Sequence, residues 1–212
     1  GLSDLLRGER AAALITYPPY GVSYEGGTKE RLKIQGDDVQ TLQPLLDEAF
    51  AEIDRAMLDG ARAYVFHPAG PLSLTFGRAV QDVGWTYRQS LVWSKGTPVL
   101  GRSDYQYAHE PILYAVKPFK NRKGRVPWFG GRDQRSVLEF PRPTASREHP
   151  TMKPVALLEA LLRNSTQRGD VILDPFLGSG SLLVAAERLG RKCVGVEIDP
   201  RYAQVSIRRW EK

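Results

Sequence analysis

Little in this chain invites metal or redox chemistry. One cysteine, Cys193, and three histidines are spread over 212 residues, too few for a disulfide framework or a structural zinc site. Cys193 lies inside the apolar stretch KCVGVEI and reads as a small core residue. No apolar run approaches the roughly 20 residues of a membrane span, and no leader-like segment opens the chain. The expectation is a soluble, cytoplasmic protein with no membrane partner and no metal. A phosphate loop of the form G-x-x-x-x-G-K-[ST] and a full G-x-G-x-x-G are also missing, which argues against a nucleoside triphosphate or a dinucleotide. The first residue is Gly rather than Met, which suggests a processed chain or a piece of a longer one.

What is present is an ordinary globular balance, 42% apolar and 25% charged, on a length that suits one domain over 1–212. Strand-like runs at 12–16, 61–68, 85–93, 111–117, 171–174 and 192–199 alternate with helical periodicity. The periodicity covers 39–57 behind the Asp38 cap and ahead of Gly60, then 71–82, 155–165, 181–190 and 200–211. This alternation predicts an α/β fold: three layers, Rossmann-like, around a mostly parallel sheet.

Net charge is +6, which favours a polyanionic partner. Residues 119–148 concentrate it, with Lys120, Arg122, Lys123, Arg125, Arg132, Arg135, Arg142 and Arg147 against Asp133, Glu139 and Glu148. Phe119, Trp128 and Phe129 share the segment with Gly130-Gly131. Cations and aromatics on a Gly/Pro-rich loop form a nucleic-acid footprint, and a solvated insertion has the same composition.

Asp170-Val-Ile-Leu-Asp174-Pro-Phe176-Leu-Gly178-Ser-Gly180-Ser181 reads as a strand, a glycine turn and a helix start. The glycines let a ligand approach the backbone, and the helix start offers free N–H groups. Roughly 20 residues on, Glu197-Ile198-Asp199 ends the next strand, where a carboxylate is placed to accept both hydroxyls of a ribose. Together they point to a nucleoside cofactor without a pyrophosphate.

LDPFLGSGS followed by GVEID resembles the S-adenosylmethionine site of DNA amino-methyltransferases. HPTMKP (149–154) resembles the partner segment of that site in their β group, and TYPPYGVSYEG resembles the catalytic loop, Asp, Asn or Ser followed by Pro-Pro-Tyr or Phe. The permuted motif order is that of the β group. GWTYRQSLVWSKG and DYQYAHEPILYAVK resemble the strands of N6-adenine enzymes, so the likeness covers nearly the whole chain. It implies S-adenosylmethionine as cofactor and double-stranded DNA as partner, in a bacterial or phage-infected cell, with the chain a monomer or homodimer. Asp174, Gly178 and Gly180 would frame the methionine part and Glu197 the ribose, with Phe176 near the adenine or the target pocket. Thr151 and Lys153 would bind the methionine carboxylate. Lys120, Arg122, Lys123, Arg125, Arg132 and Arg135 would grip or read DNA. His109-Glu110 is read as a structural turn-and-strand pair.

Methyl transfer to an exocyclic amine asks for acceptors on both N–H groups, drawing the nitrogen toward sp³ geometry. In the family one acceptor is the first side chain of the loop and one is the carbonyl at its first proline. Pro18 and Pro19 would hold those acceptors rigid, and Tyr20 would stack on a base flipped from the duplex. Tyr17 departs from the pattern, because a neutral phenol accepts more weakly than a carboxylate and adds a ring. Three readings stand: ordinary methylation lost or slowed, methylation with altered geometry, or a site retuned for another target or donor, such as a carboxylated sulfonium analogue. Rival functions are a silent DNA- or cofactor-binding homologue and a small-molecule or RNA methyltransferase.

Overall fold

The computed structural model describes residues 1–21, 38–99, 104–119, 126–142 and 152–212. A seven-stranded sheet runs in the order β5-β3-β4-β2-β1-β6-β7. At its centre β1 (Ala11–Thr16) is buried along its whole length, as expected of a strand covered on both faces. It pairs parallel with β2 (Met57–Phe66) on one side and with β6 (Val171–Asp174) on the other. Beyond β6 lies β7 (Lys192–Gly195), again parallel. Beyond β2 come the antiparallel strands β4 (Tyr107–Val116) and β3 (Thr86–Val99), and β5 (Val137–Glu139) closes that side parallel to β3.

Alternation along the strands divides the core in two. Leu14, Val65 and Leu113 pack with Leu42, Leu46, Phe50 and Ile53 of α2 (Val39–Ala56) and Phe76 and Val80 of α3 (Ser73–Asp82). Ile15, Tyr64, Phe66 and Ile112 pack on the other face. Their partners are Leu157, Leu158, Leu161 and Leu162 of α4 (Val155–Ser165) and Leu182 and Ala185 of α5 (Ser181–Arg188). The result is the expected three-layer α/β sandwich with a mostly parallel sheet. A short α1 (Leu2–Leu5) and the C-terminal α6 (Pro200–Trp210) complete it.

Several boundaries differ from expectation, and one strand is new. The helix before Gly60 stops at Ala56, because β2 already begins at Met57. Gly60 sits inside that strand at φ 79, where a Cβ would overlap the Phe119 ring. The strand expected over 192–199 ends at Gly195: the Val196 N–H makes the last ladder bond, to the Asp174 carbonyl, and the residues after it leave the sheet for the site. β5 went unpredicted: three residues inside a polar loop carry no periodicity to read.

Candidate active site

β1, β2 and β6 run parallel, so their C-terminal ends share one edge of the sheet, where α/β folds place ligands. That edge collects Tyr17, Pro18, Pro19 and Tyr20 after β1, His67 after β2 and the Asp174–Gly180 turn after β6. The two motifs are joined directly: Thr16 Oγ1 donates to Asp174 Oδ1 at 2.8 Å in a fully buried bond. The Phe176 N–H donates to the same oxygen at 3.1 Å. Burial pushes the Asp174 carboxyl up to about 7 despite these two donors, and the Glu197 charge adds to the rise.

Glu197 is held at the turn by both oxygens. Oε2 accepts from the Gly178 N–H at 2.7 Å and Oε1 from the Asp199 N–H at 2.8 Å. A carboxylate has about four acceptor positions, so this fixed group keeps capacity for two hydroxyls. Gly180 has φ 72, and a Cβ there would lie 2.7 Å from Ser206 Cβ on α6. Ser206 Oγ donates to the Gly178 carbonyl at 2.8 Å, and Arg209 reaches the Ser179 carbonyl at 2.5 Å. The last helix therefore braces the glycine turn from behind. Ile198, 73% exposed, offers apolar surface beside Glu197, and Phe176 is half-buried. A braced carboxylate, two turn glycines and adjacent apolar surface fit a nucleoside cofactor.

The Tyr17–Tyr20 loop encloses a cluster that local sequence did not reveal. Glu110, buried at the start of β4, shares Oε1 between the Tyr20 hydroxyl at 2.6 Å and Lys153 Nζ at 2.5 Å. Its Oε2 pairs with Lys95 Nζ at 3.0 Å. Burial opposes ionisation of Glu110, but Lys153 and Lys95, with hydrogen bonds from Lys153 and Tyr20, hold its carboxyl at about 2. Lys153 Nζ lies 4.6 Å from the centre of the Tyr17 ring, with Tyr20, Phe66 and Trp93 also around it. Burial pulls the Lys153 ammonium below the usual lysine range. Lys153 thus lies at the Tyr17–Tyr20 loop with its charge committed to Glu110. Glu110 has more than the strand-and-turn role read for it, and Lys95 was not singled out.

Tyr17 stacks on Phe66, ring centres 4.0 Å apart and planes at 30°. Its hydroxyl is buried and finds no hydrogen-bond partner among the described residues. Burial, with the Glu110 and Asp174 charges, keeps that phenol firmly neutral. Tyr20 is fixed at two points, its hydroxyl on Glu110 and its ring edge-on to Phe76 at 6.2 Å. His67 Nδ1 lies 3.0 Å from the Pro68 carbonyl, so that nitrogen carries the proton, and the buried Nε2 is without a partner among the described residues. Burial lowers its proton affinity and keeps the ring neutral.

The basic loop is divided. β4 descends to the opposite edge, where Lys117 Nζ pairs with Asp54 Oδ1 at 3.0 Å at the end of α2. Arg62, also buried, donates to the Val126 and Pro127 carbonyls at 2.9 Å each. The Phe129 and Gly130 N–H groups bond the Asn164 carbonyl at the far end of α4 from Lys153. Arg132 and Arg135 are exposed on this stretch, so the structure does not bring them together with Tyr17–Tyr20. Lys120, Arg122, Lys123, Arg125 and Thr151 lie outside the described residues. Exposed groups at the edge that carries Tyr17–Tyr20 are Arg142 and the rings of Tyr105 and Tyr107. No described helix is long and apolar enough to cross a membrane, and no described cluster of His, Cys, Asp and Glu could hold a metal.

Comparison with known proteins agrees with this geometry. Residues 12–208 match the N6/N4 family described as DNA methylase. The Type II methyltransferase M2.DpnII of Streptococcus pneumoniae is 32% identical over 147 residues, 64% of this chain and 55% of that protein. M2.LlaDCHI of Lactococcus lactis subsp. cremoris is 32% identical over 148 residues, with the same shares. The chain thus spans about half the length of both relatives. Among solved structures, the M1.HpyAVI–SAM complex superposes with a TM-score of 0.73 at 22% identity, over 100% of this chain and 94% of that one. TTHA0409 of Thermus thermophilus, complexed with S-adenosyl-L-methionine, gives 0.68 at 25% identity, over 99% and 90%.

Proposed function

The chain belongs to the N6/N4 DNA methylase family, and from that premise we propose that it transfers a methyl group from S-adenosylmethionine to the exocyclic N6 of adenine in duplex DNA. The observation that carries the reading is the Thr16–Asp174 bond, which locks the Pro-Pro-Tyr loop to the glycine turn. Glu197 would accept the ribose hydroxyls and Ile198 would lie against the purine. The cofactor supplies an electrophilic methyl on a sulfonium. The chain supplies the rest. Pro18 and Pro19 hold the loop carbonyls rigid as acceptors for the amine N–H groups. Tyr20, pinned by Glu110 and Phe76, stacks on the base turned out of the helix. Tyr105, Tyr107 and Arg142 at the same edge would meet bases and phosphates. Arg132 and Arg135 would touch DNA only where the duplex passes the far edge.

A second reading, a homologue that binds cofactor and DNA without transfer, is favoured by Tyr17. Its buried hydroxyl faces no partner among the described residues and stays neutral, where the family has an acceptor. Mass spectrometry of nucleosides decides between the readings, using mixed-sequence DNA incubated with S-adenosylmethionine and either the wild type or Tyr17→Asp. N6-methyladenine from the wild type supports transfer, whereas its appearance only with Tyr17→Asp supports the silent homologue. N4-methylcytosine overturns the adenine assignment, and unmodified DNA in both arms overturns the methylase reading for this chain.

A further inference from the structure

The charges around Tyr17 are those of Lys95, Lys153 and Glu110, with Asp174, bonded to Thr16 and raised to about 7, carrying only part of a charge near neutrality. Lys95 and Lys153 converge on one carboxylate, Glu110, at 3.0 and 2.5 Å, and the exposed Arg142 adds repulsion on Lys153. His67 is neutral and brings no charge. With an Asp at position 17, as in the family motif, two ammonium groups would face two carboxylates. With Tyr17 one anion is missing, and its space holds a ring whose buried hydroxyl donates to nothing among the described residues. Uncompensated buried charge and an idle buried donor are both costly, and one ligand group relieves both. A bare methyl on a sulfonium does neither, since it adds positive charge and accepts no hydrogen bond.

We propose that the site at Tyr17 takes a carboxylate at the reacting end of the cofactor, that is, a sulfonium nucleoside whose transferable substituent ends in a carboxylate. The Tyr17 hydroxyl donates to that carboxylate, and Lys153 and Lys95, already linked through Glu110, compensate its charge. Two cations then face two anions, one of them carried in by the ligand. The inference rests on the cofactor reading above. It adds which form of the cofactor this chain prefers.

Titration calorimetry of the full chain without DNA tests it, with S-adenosylmethionine, S-adenosylhomocysteine and S-adenosyl-S-carboxymethyl-homocysteine as probes. One charge-assisted hydrogen bond in a buried site corresponds to about tenfold or more in affinity, so the wild type should hold the carboxymethyl sulfonium at least about tenfold tighter than S-adenosylmethionine. Tyr17→Phe keeps the ring and its stacking on Phe66 and should lose most of that preference. Tyr17→Asp restores the missing anion and should reverse it. Equal binding of the two sulfonium forms by the wild type, or a preference unchanged in both variants, overturns the inference and leaves the cofactor reading intact. Failure of the wild type to bind any of the three probes overturns the cofactor reading and the inference with it.

Discussion

Asp174→Asn separates the stability of this fold from its chemistry. The wild-type carboxyl is buried under Thr16 and the Phe176 N–H, and burial raises it from 3.8 to about 7. The folded state therefore holds the proton more tightly than the unfolded chain does. That contribution is fully present below about pH 4 and is lost as the pH rises through about 7. A shift of that size makes stability fall by about 2.5 kcal/mol between about pH 5 and about pH 8 on account of this group alone. Asn has nearly the same shape, still accepts from Thr16 and does not titrate. Its amide must find a partner, at a fixed cost of about 1–3 kcal/mol, but that cost does not vary with pH. Urea unfolding of both proteins without cofactor should show the variant gaining about 2.5 kcal/mol on the wild type from about pH 5 to about pH 8, or roughly 5–10 °C in melting temperature. Effects of other titrating groups cancel in the comparison. A difference that stays constant across this range, or a variant that loses ground on the wild type as the pH rises, would refute the argument that the site keeps a buried carboxyl at the expense of stability.

Gly180→Ala forces a Cβ against Ser206 at a left-handed φ; it should cost about 2–3 kcal/mol by chemical denaturation and weaken cofactor binding in calorimetry. Glu197→Gln turns an amide donor toward either the Gly178 or the Asp199 N–H; S-adenosylmethionine affinity should drop at least about tenfold by calorimetry while the free energy of unfolding falls by only about 1 kcal/mol. Arg62→Met leaves the Val126 and Pro127 carbonyls without their donor; it should cost about 2–4 kcal/mol and speed proteolysis between 117 and 135, with cofactor affinity unchanged.

The parts of this molecule legible in sequence are those whose signal is local. The helix over 155–165 and the strand over 171–174 matched to the residue, because unbroken periodicity and a short apolar run state their own limits. The pairing of Glu197 with the glycine turn was legible because the acidic end of the next strand follows that turn by roughly 20 residues. Glu110 was not. Its partners Tyr20, Lys95 and Lys153 come from the end of β1, from β3 and from the approach to α4, and only the sheet order brings them together. The one hint was a carboxylate set directly before Pro111 and a run of apolar residues in β4, a costly position for an unpaired charge. The placement of the basic segment was hidden for the same reason: its composition fits a polyanion, but composition does not say that Arg132 and Arg135 lie apart from Tyr17–Tyr20.

The line where β1 meets β6 has a practical consequence. Every covalent link between the loop-bearing part, 1–142, and the turn-bearing part, 152–212, passes through the segment between them. The parts meet, among other contacts, along the Ala13–Ile172 and Leu14–Leu173 register, in the Thr16–Asp174 bond and the Lys153–Glu110 ion pair, and where the leucines of α4 lie on Ile15, Tyr64 and Phe66. One part carries the Tyr17–Tyr20 loop and the other the glycine turn. Expressed as separate polypeptides they should reassemble along this seam. Tethered to two partners, they would report that those partners had met.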